Sequence, residues 1–227
     1  MKGLIGRKLG MTQVFLTDGT LVPVTVVEVL PNVVLQKKTV ETDGYEATQL
    51  GYEDVKANKV KKAESGHASK ANATPKRYLK EFRGNGFEAY ELGQEVAADL
   101  FVAGDIVDVS GRSRGKGYMG AVYRNNQAIG PKSHGSRSHR VPGSFANMGV
   151  NVSSIKPGLT KAGQEGYKMR TNQALEVIKV DTENNYLLIK GNVPGPRKGI
   201  VTIKETVKRI KSVEAKELVD LTADKED

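Results

Sequence analysis

Between two blocks of strand-like sequence lies a stretch, residues 110–170, that cannot build a hydrophobic core of its own. Its 61 residues hold eleven of the 25 glycines, few large apolar side chains and no sustained period of 2 or 3.6. An irregular stretch of ~60 residues is foreign to a compact domain unless it is functional or orders on a partner. Charge indicates the kind of partner. Eleven cations (Arg112, Arg114, Lys116, Arg124, Lys132, Arg137, Arg140, Lys156, Lys161, Lys168 and Arg170) face one acid, Glu165, a net of +10. The whole chain of 227 residues nets +9, so the other 166 sum to −1. The basicity is therefore local. It predicts a polyanionic partner for this segment rather than for the whole surface.

The flanks carry strand signals. Val14 to Leu16, a turn at Thr17-Asp18-Gly19-Thr20, and Leu21 to Leu30 read as a hairpin, because Asp-Gly is a strong short turn signal. Pro31-Asn32 punctuates the chain. Val33 to Val40 follows as a strand, and Asp43-Gly44 reads as a second tight turn into Tyr45 to Tyr52. β-branched and aromatic residues dominate these runs, which predicts an antiparallel meander. Val55 to Ala73 is polar and lysine-rich, with a short helix expected near His67 to Ala73. Arg77 to Arg83 reads as a strand, Glu95 to Phe101 as a short helix, and Asp105 to Val109 as the strand entering the basic segment. Beyond that segment, Ala174 to Val180, Asn184-Asn185 and Tyr186 to Lys190 form a second hairpin signal, and Gly199 to Lys204 a last strand. Strands thus flank the basic segment on both sides. The expectation is one mainly β domain with minor α, an antiparallel barrel with a long excursion. Its parts are 1–109 plus 171–211 as the barrel, with a small polar insertion around 53–100, and 110–170 as an extended loop. The tail 212–227 has six acids and two bases, net −4, and reads as a helix.

Several function classes fall away. There is no cysteine, which removes disulfides, thiolate metal sites and cysteine nucleophiles. No signal peptide is visible. The longest apolar stretch, Leu21 to Leu30, is broken by Pro23, Thr25 and Glu28 and is far shorter than the ~20 residues of a membrane span. Gly115-Lys116-Gly117-Tyr118-Met119-Gly120-Ala121-Val122 matches the glycine pattern of nucleotide-binding loops, so a nucleotide-dependent enzyme is one alternative. A dinucleotide site needs a βαβ unit and an acid about 20 residues on, where this chain has Arg140. Ser133-His134-Gly135-Ser136-Arg137-Ser138-His139-Arg140 lacks the further ligands of a zinc site and an acid to orient a catalytic histidine. No catalytic residue, metal ligand, cofactor or small-molecule substrate is expected.

RNA chemistry accounts for these features better. Glycines bring main chain close to phosphate, arginines clamp it, and histidine and tyrosine stack on unpaired bases. The candidate RNA-binding residues are Arg112, Arg114, Lys116, Gly117, Tyr118, Arg124, Lys132, His134, Arg137, His139, Arg140, Lys156, Lys161, Lys168 and Arg170. Tyr123, Phe145 and Tyr167 are interleaved with them. Ten neutralised phosphates would give a slope of log K on log salt of about −7 to −9, with affinity spread over many residues. A free-standing RNA chaperone is the other alternative.

Ordered motifs sharpen this. Gly3-Leu4-Ile5-Gly6-Arg7-Lys8-Leu9-Gly10-Met11-Thr12-Gln13-Val14-Phe15, Pro23 to Glu28, Asp108-Val109-Ser110-Gly111, Ser133 through Ser144, Leu175-Glu176-Val177 and Lys190 to Gly195 resemble the bacterial-type L3 family of large-subunit ribosomal proteins. The resemblance runs to about Lys211. It implies a translation-factor-like β-barrel, binding to 23S-type rRNA and a part in early subunit assembly. It also implies a basic loop directed toward the peptidyl-transferase centre, neighbouring large-subunit proteins as partners, and residence in the cytoplasmic ribosome, with catalysis left to RNA. The chain departs from the family pattern at Tyr123 to Ile129 and at Ile155 to Gly166, both less basic than usual. Phe145 to Asn151 lacks the glutamine many members carry.

Overall fold

The structure is a computed structural model, and it describes residues 2–84, 90–144, 157–208, 216, 218 and 219. Lys156, Phe145 and most of the tail 212–227 lie outside the described residues. Two compact units form: Met1–Arg112 with Met169–Asp227, and Ser113–Lys168.

The first unit is built on a closed antiparallel barrel. Its strands are β1 (Gly3–Phe15), β2 (Leu21–Glu28), β7 (Ile106–Arg112), β10 (Met169–Asp181), β11 (Tyr186–Lys190) and β12 (Ile200–Glu205), in the order β1-β12-β7-β10-β11-β2. Both predicted hairpins form. Thr20 donates its N–H to Asp18 Oδ1 (2.8 Å) at the first turn. Asn184 donates its N–H to Asp181 Oδ1 (2.8 Å) at the second. A four-stranded sheet belongs to the same unit: β3 (Asn32–Lys38), β4 (Ala47–Asp54), β5 (Lys76–Phe82) and the two-residue β6 (Glu95–Val96), ordered β5-β4-β3-β6.

The expected meander is corrected here. After β2 the chain changes sheets at Leu30-Pro31, so β3 pairs with β4 and β6 and not with β2. One core serves both sheets. Leu4, Ile5, Val27, Val109, Leu187, Ile189 and Ile203 from the barrel cluster with Val34, Leu50, Tyr52 and Phe82 from the sheet, all fully buried. Each such side chain contributes about 1.5–3 kcal/mol relative to exposure.

Other local expectations shift. The first strand spans Gly3–Phe15 rather than starting at Val14, because pairing with β12 and β2 on its two edges overrides its glycines and cations. Asp43-Gly44 is not a tight two-residue turn, although it lies in the connection that joins the paired strands β3 and β4. It ends a single helical turn, α1 (Val40–Asp43), closed by Gly44 N–H on Val40 O (3.1 Å). The helix expected at His67 to Ala73 runs earlier, as α2 (Lys62–Ser69). The helix expected at Glu95 to Phe101 is β6 followed by a 3-10 turn, Ala98–Leu100, because edge pairing with β3 claims its first two residues. In the tail, Leu218 bridges to Leu16 and Val219 donates to Phe15 O (3.0 Å), so this point is strand-like and not helical. Lys216 pairs there with Glu176 (2.8 Å).

Lys8 shows how the barrel fixes a loop. Its ammonium donates to Val193 O (2.6 Å) and Gly195 O (3.2 Å), and burial pulls it below the ordinary lysine range.

Candidate nucleic-acid interface

The candidate residues fall in two settings. Arg112 and Arg170 lie on barrel strands, where Met169 pairs with Arg112 and Arg170 with Gly111. Both are exposed. The rest of the described set belongs to the Ser113–Lys168 unit.

That unit is a two-limbed arm held by main chain and not by a core. Ser113 N–H donates to Lys168 O (2.9 Å), Tyr167 N–H to Ser113 O (3.2 Å) and Lys116 N–H to Glu165 O (2.9 Å). The short strands β8 (Gly117–Met119) and β9 (Gly163–Glu165) continue the ladder. Gly120 then leads into α3 (Ala121–Asn125). Three side chains from this limb reach the other. Arg124 Nη1 donates to Lys161 O (2.9 Å), Asn125 Nδ2 to the same oxygen (3.2 Å), and Gln127 Nε2 to Thr160 Oγ1 (2.8 Å).

The glycine motif is therefore a strand and a five-residue helical turn. The Lys116 amide is engaged in the ladder rather than offered to a phosphate, which departs from the simplest reading of that motif.

A smaller loop closes at the far end of the first limb. Gly130 N–H donates to His139 O (2.9 Å), and the His139 ring contributes Nδ1 at 2.8 Å from Pro131 O. A carbonyl only accepts, so Nδ1 carries the proton and Nε2 remains as the other polar edge of the ring. This closure admits only glycine at 130, because a Cβ there would lie 2.3 Å from Ser138 O. Gly166 is equally constrained, with φ +71° and a Cβ position 2.1 Å from Arg114 O.

Gly130→Ala is thus expected to open the 130–139 loop. The amide at 130 should lose hydrogen-exchange protection, while unfolding stability moves by less than ~0.5 kcal/mol because the barrel core is untouched. Retained protection would contradict the closure.

Exposure sorts the candidates. Arg114, Lys116, Gly117, Tyr118, Lys132, His134, Arg137, His139, Arg140 and Lys168 are exposed, with Tyr118 at 76%. Arg124 and Lys161 are half-buried, and Arg124 is spent on the cross-limb bond. It positions the arm and is a weaker candidate for phosphate. Lys116 Nζ lies 5.3 Å from the centre of the Tyr123 ring, a cation–π contact that holds both groups near the surface. Among the described residues of the arm, Ala121 alone is buried. Glu165 is its sole acid, so the cations cannot be neutralised internally. No group of three or more acidic or histidine side chains capable of holding a metal occurs among the described residues.

Sequence reasoning missed the positioning residues Asn125, Gln127, Gly130 and Gly166. Their signal was present only as turn chemistry, in Asn125-Asn126 and Gly130-Pro131, and it does not say which main chain each one meets.

A family model described as Ribosomal protein L3 matches residues 81–185. A protein named Large ribosomal subunit protein uL3 from Geobacillus sp. (strain WCH70) is 55% identical over 207 residues, covering 91% of this chain and 97% of the relative. Proteins of the same name from Halalkalibacterium halodurans (54% over 207 residues, 91% and 98%) and Geobacillus kaustophilus (53% over 210 residues, 92% and 98%) are similar to the same extent. With more than half of the residues identical along nearly the full length of these relatives, and a barrel interrupted by a cationic arm, the chain belongs to the ribosomal protein L3 family.

Proposed function

We propose that the chain is a structural, non-enzymatic constituent of the large ribosomal subunit that binds 23S-type rRNA through its arm. The observation that carries this reading is the arm itself. It has one acid, one buried residue among those described, and ten exposed candidate contact residues. Such a unit gains little from its own burial, whereas folded RNA supplies both counter-charge and a surface to pack on. Exposed Arg137, Arg140, Lys132 and Lys168 suit phosphate, and Tyr118, His134 and His139 suit unpaired bases. Arg112 and Arg170 extend the same chemistry onto the barrel strands, and Lys156 and Lys161 belong with it by charge. Family membership supports a part in early subunit assembly, neighbouring large-subunit proteins as partners, and an arm directed toward the peptidyl-transferase centre in the cytoplasmic ribosome. No small-molecule substrate or cofactor enters this reading.

The test is sedimentation of cell extract after a high-salt wash. The protein is expected with the large subunit. Recovery in the free pool alone would refute the proposal.

A further inference from the structure

We propose that the lysine-rich segment 56–70 is a second RNA-binding surface, one that grips the phosphate backbone without reading bases; this rests on the rRNA-binding reading above. Residues 55–83 hold nine cations against Glu64 and Glu81, a net of +7. With 110–170 at +10 and the chain at +9, the remaining 137 residues sum to −8. The excess positive charge of this protein therefore sits in two separate places, and the second is not background basicity.

Three of the nine cations are used internally. Lys76 pairs with Asp54 (2.7 Å), Arg77 with Glu53 (3.7 Å), and Arg83 lies 4.0 Å from the centre of the Tyr45 ring. The other six, Lys56, Lys59, Lys61, Lys62, Lys70 and Lys80, are exposed and make no ion pair among the described residues.

Four of those six fall within seven residues, on the 3-10 turn Ala57–Lys59 and the entry to α2. The entry works mostly against its own helix, with Glu64 the one acid in its first turn. It has no side-chain cap, Lys61 occupies the capping position and Lys62 is the first helical residue. Acids and hydroxyls stabilise that position, and cations oppose the helix dipole. A bound anion reverses the sign of that opposition. The frame is nonetheless fixed. His67 Nε2 lies 2.7 Å from Gln49 Oε1 on β4, and Ala68 is buried. The lysines thus project from a scaffold tied to the sheet.

Residue type names the ligand class. Segment 56–70 has no arginine, tyrosine, phenylalanine or tryptophan, and its one histidine is tied to Gln49. It lacks both the guanidinium fork and the stacking rings that base recognition uses. Lysine ammonium groups act as point charges on phosphate. The arm, with arginine, histidine and tyrosine interleaved, has the opposite composition. The lysine surface supplies backbone grip alone, whereas the arm combines phosphate contact with base contact.

The test measures binding of the full chain to deproteinised large-subunit rRNA across a salt series. Neutralising Lys56, Lys59, Lys61 and Lys62 together (each Lys→Gln) is expected to reduce the slope of log K on log salt by about 3, at roughly 0.7–0.9 per cation. The corresponding Lys→Arg variant should keep the parent slope, which separates charge from fold. Arg137→Gln with Arg140→Gln reports on the arm independently. If the arm variant loses slope and the lysine variant does not, this inference is overturned while the rRNA reading stands. If the parent chain binds no rRNA, both fall. If the lysine variant keeps its slope but loses a crosslink to an acidic ribosomal protein, the surface serves a protein partner and the RNA assignment is wrong.

Discussion

Asn32→Leu is expected to destabilise the barrel unit by roughly 2–6 kcal/mol, the cost of leaving two buried main-chain groups without partners at ~1–3 kcal/mol each. Asn32 is completely buried. Its Oδ1 accepts the Ile5 N–H (3.0 Å), and its Nδ2 donates to Ile5 O (3.1 Å) and Leu30 O (2.9 Å). The need follows from strand register. β2 pairs with β1 only as far as Arg7↔Glu28, so among the described residues the β1 edge at Ile5 has β12 on one side and no strand on the other. One amide side chain stands in for that strand, and it also ties the start of β3 to the barrel. Leucine has the same branched outline but offers neither donor nor acceptor. At about 2–4 °C per kcal/mol for a chain of this size, the thermal midpoint should fall by ~5 °C or more. Urea and thermal unfolding of the purified chain measure this. A loss below ~1 kcal/mol would mean that water or a shifted backbone replaces the bridge.

Excising the arm should abolish most rRNA affinity while the barrel still folds. Ser113 and Lys168 already face each other across the last rung of the ladder, with Ser113 N–H on Lys168 O at 2.9 Å. An Asn-Gly turn in place of 114–167 suits that gap, since it matches the twist of antiparallel strands. Eight cations leave with the segment, together with Glu165. The salt slope should fall by about 6, so at low salt the affinity drops by ~10³-fold or more. The parent chain should weaken by ~10⁴-fold between 50 and 200 mM salt, and the excised chain far less. Circular dichroism and a cooperative unfolding transition check that the barrel persists. Undiminished rRNA binding by a folded excised chain would remove the arm from the interface.

The two hairpins and the basic arm were legible because their determinants are local. Asp18-Gly19 and Asn184-Asn185 fix their turns through their own side chains and backbone, whatever surrounds them. The arm announced itself by charge and glycine content, which need no fold to be counted. Much of β1 was not legible. Gly3 to Gln13 has glycines and cations where a strand usually has β-branched residues, and two neighbouring strands impose the conformation. Asn32 read as loop punctuation, since nothing local says that its amide meets Ile5. The lysines of 56–62 were visible as composition. Their lack of acidic partners became evident only once Lys76, Arg77 and Lys38 were seen to take the nearby acids.

By itself the sequence determined the family, the mainly β character and the address of the polycationic arm. These follow from short-range pattern, net charge and ordered motifs. Tertiary structure alone decided that the strands divide between a closed barrel and a second sheet sharing one core. It also decided which arm residues face solvent and which, like Arg124, hold the limbs together. The physical reason is the same in each case. Hydrogen-bond partners and burial depend on residues distant in the chain, and a sequence lists neighbours in order but not in space.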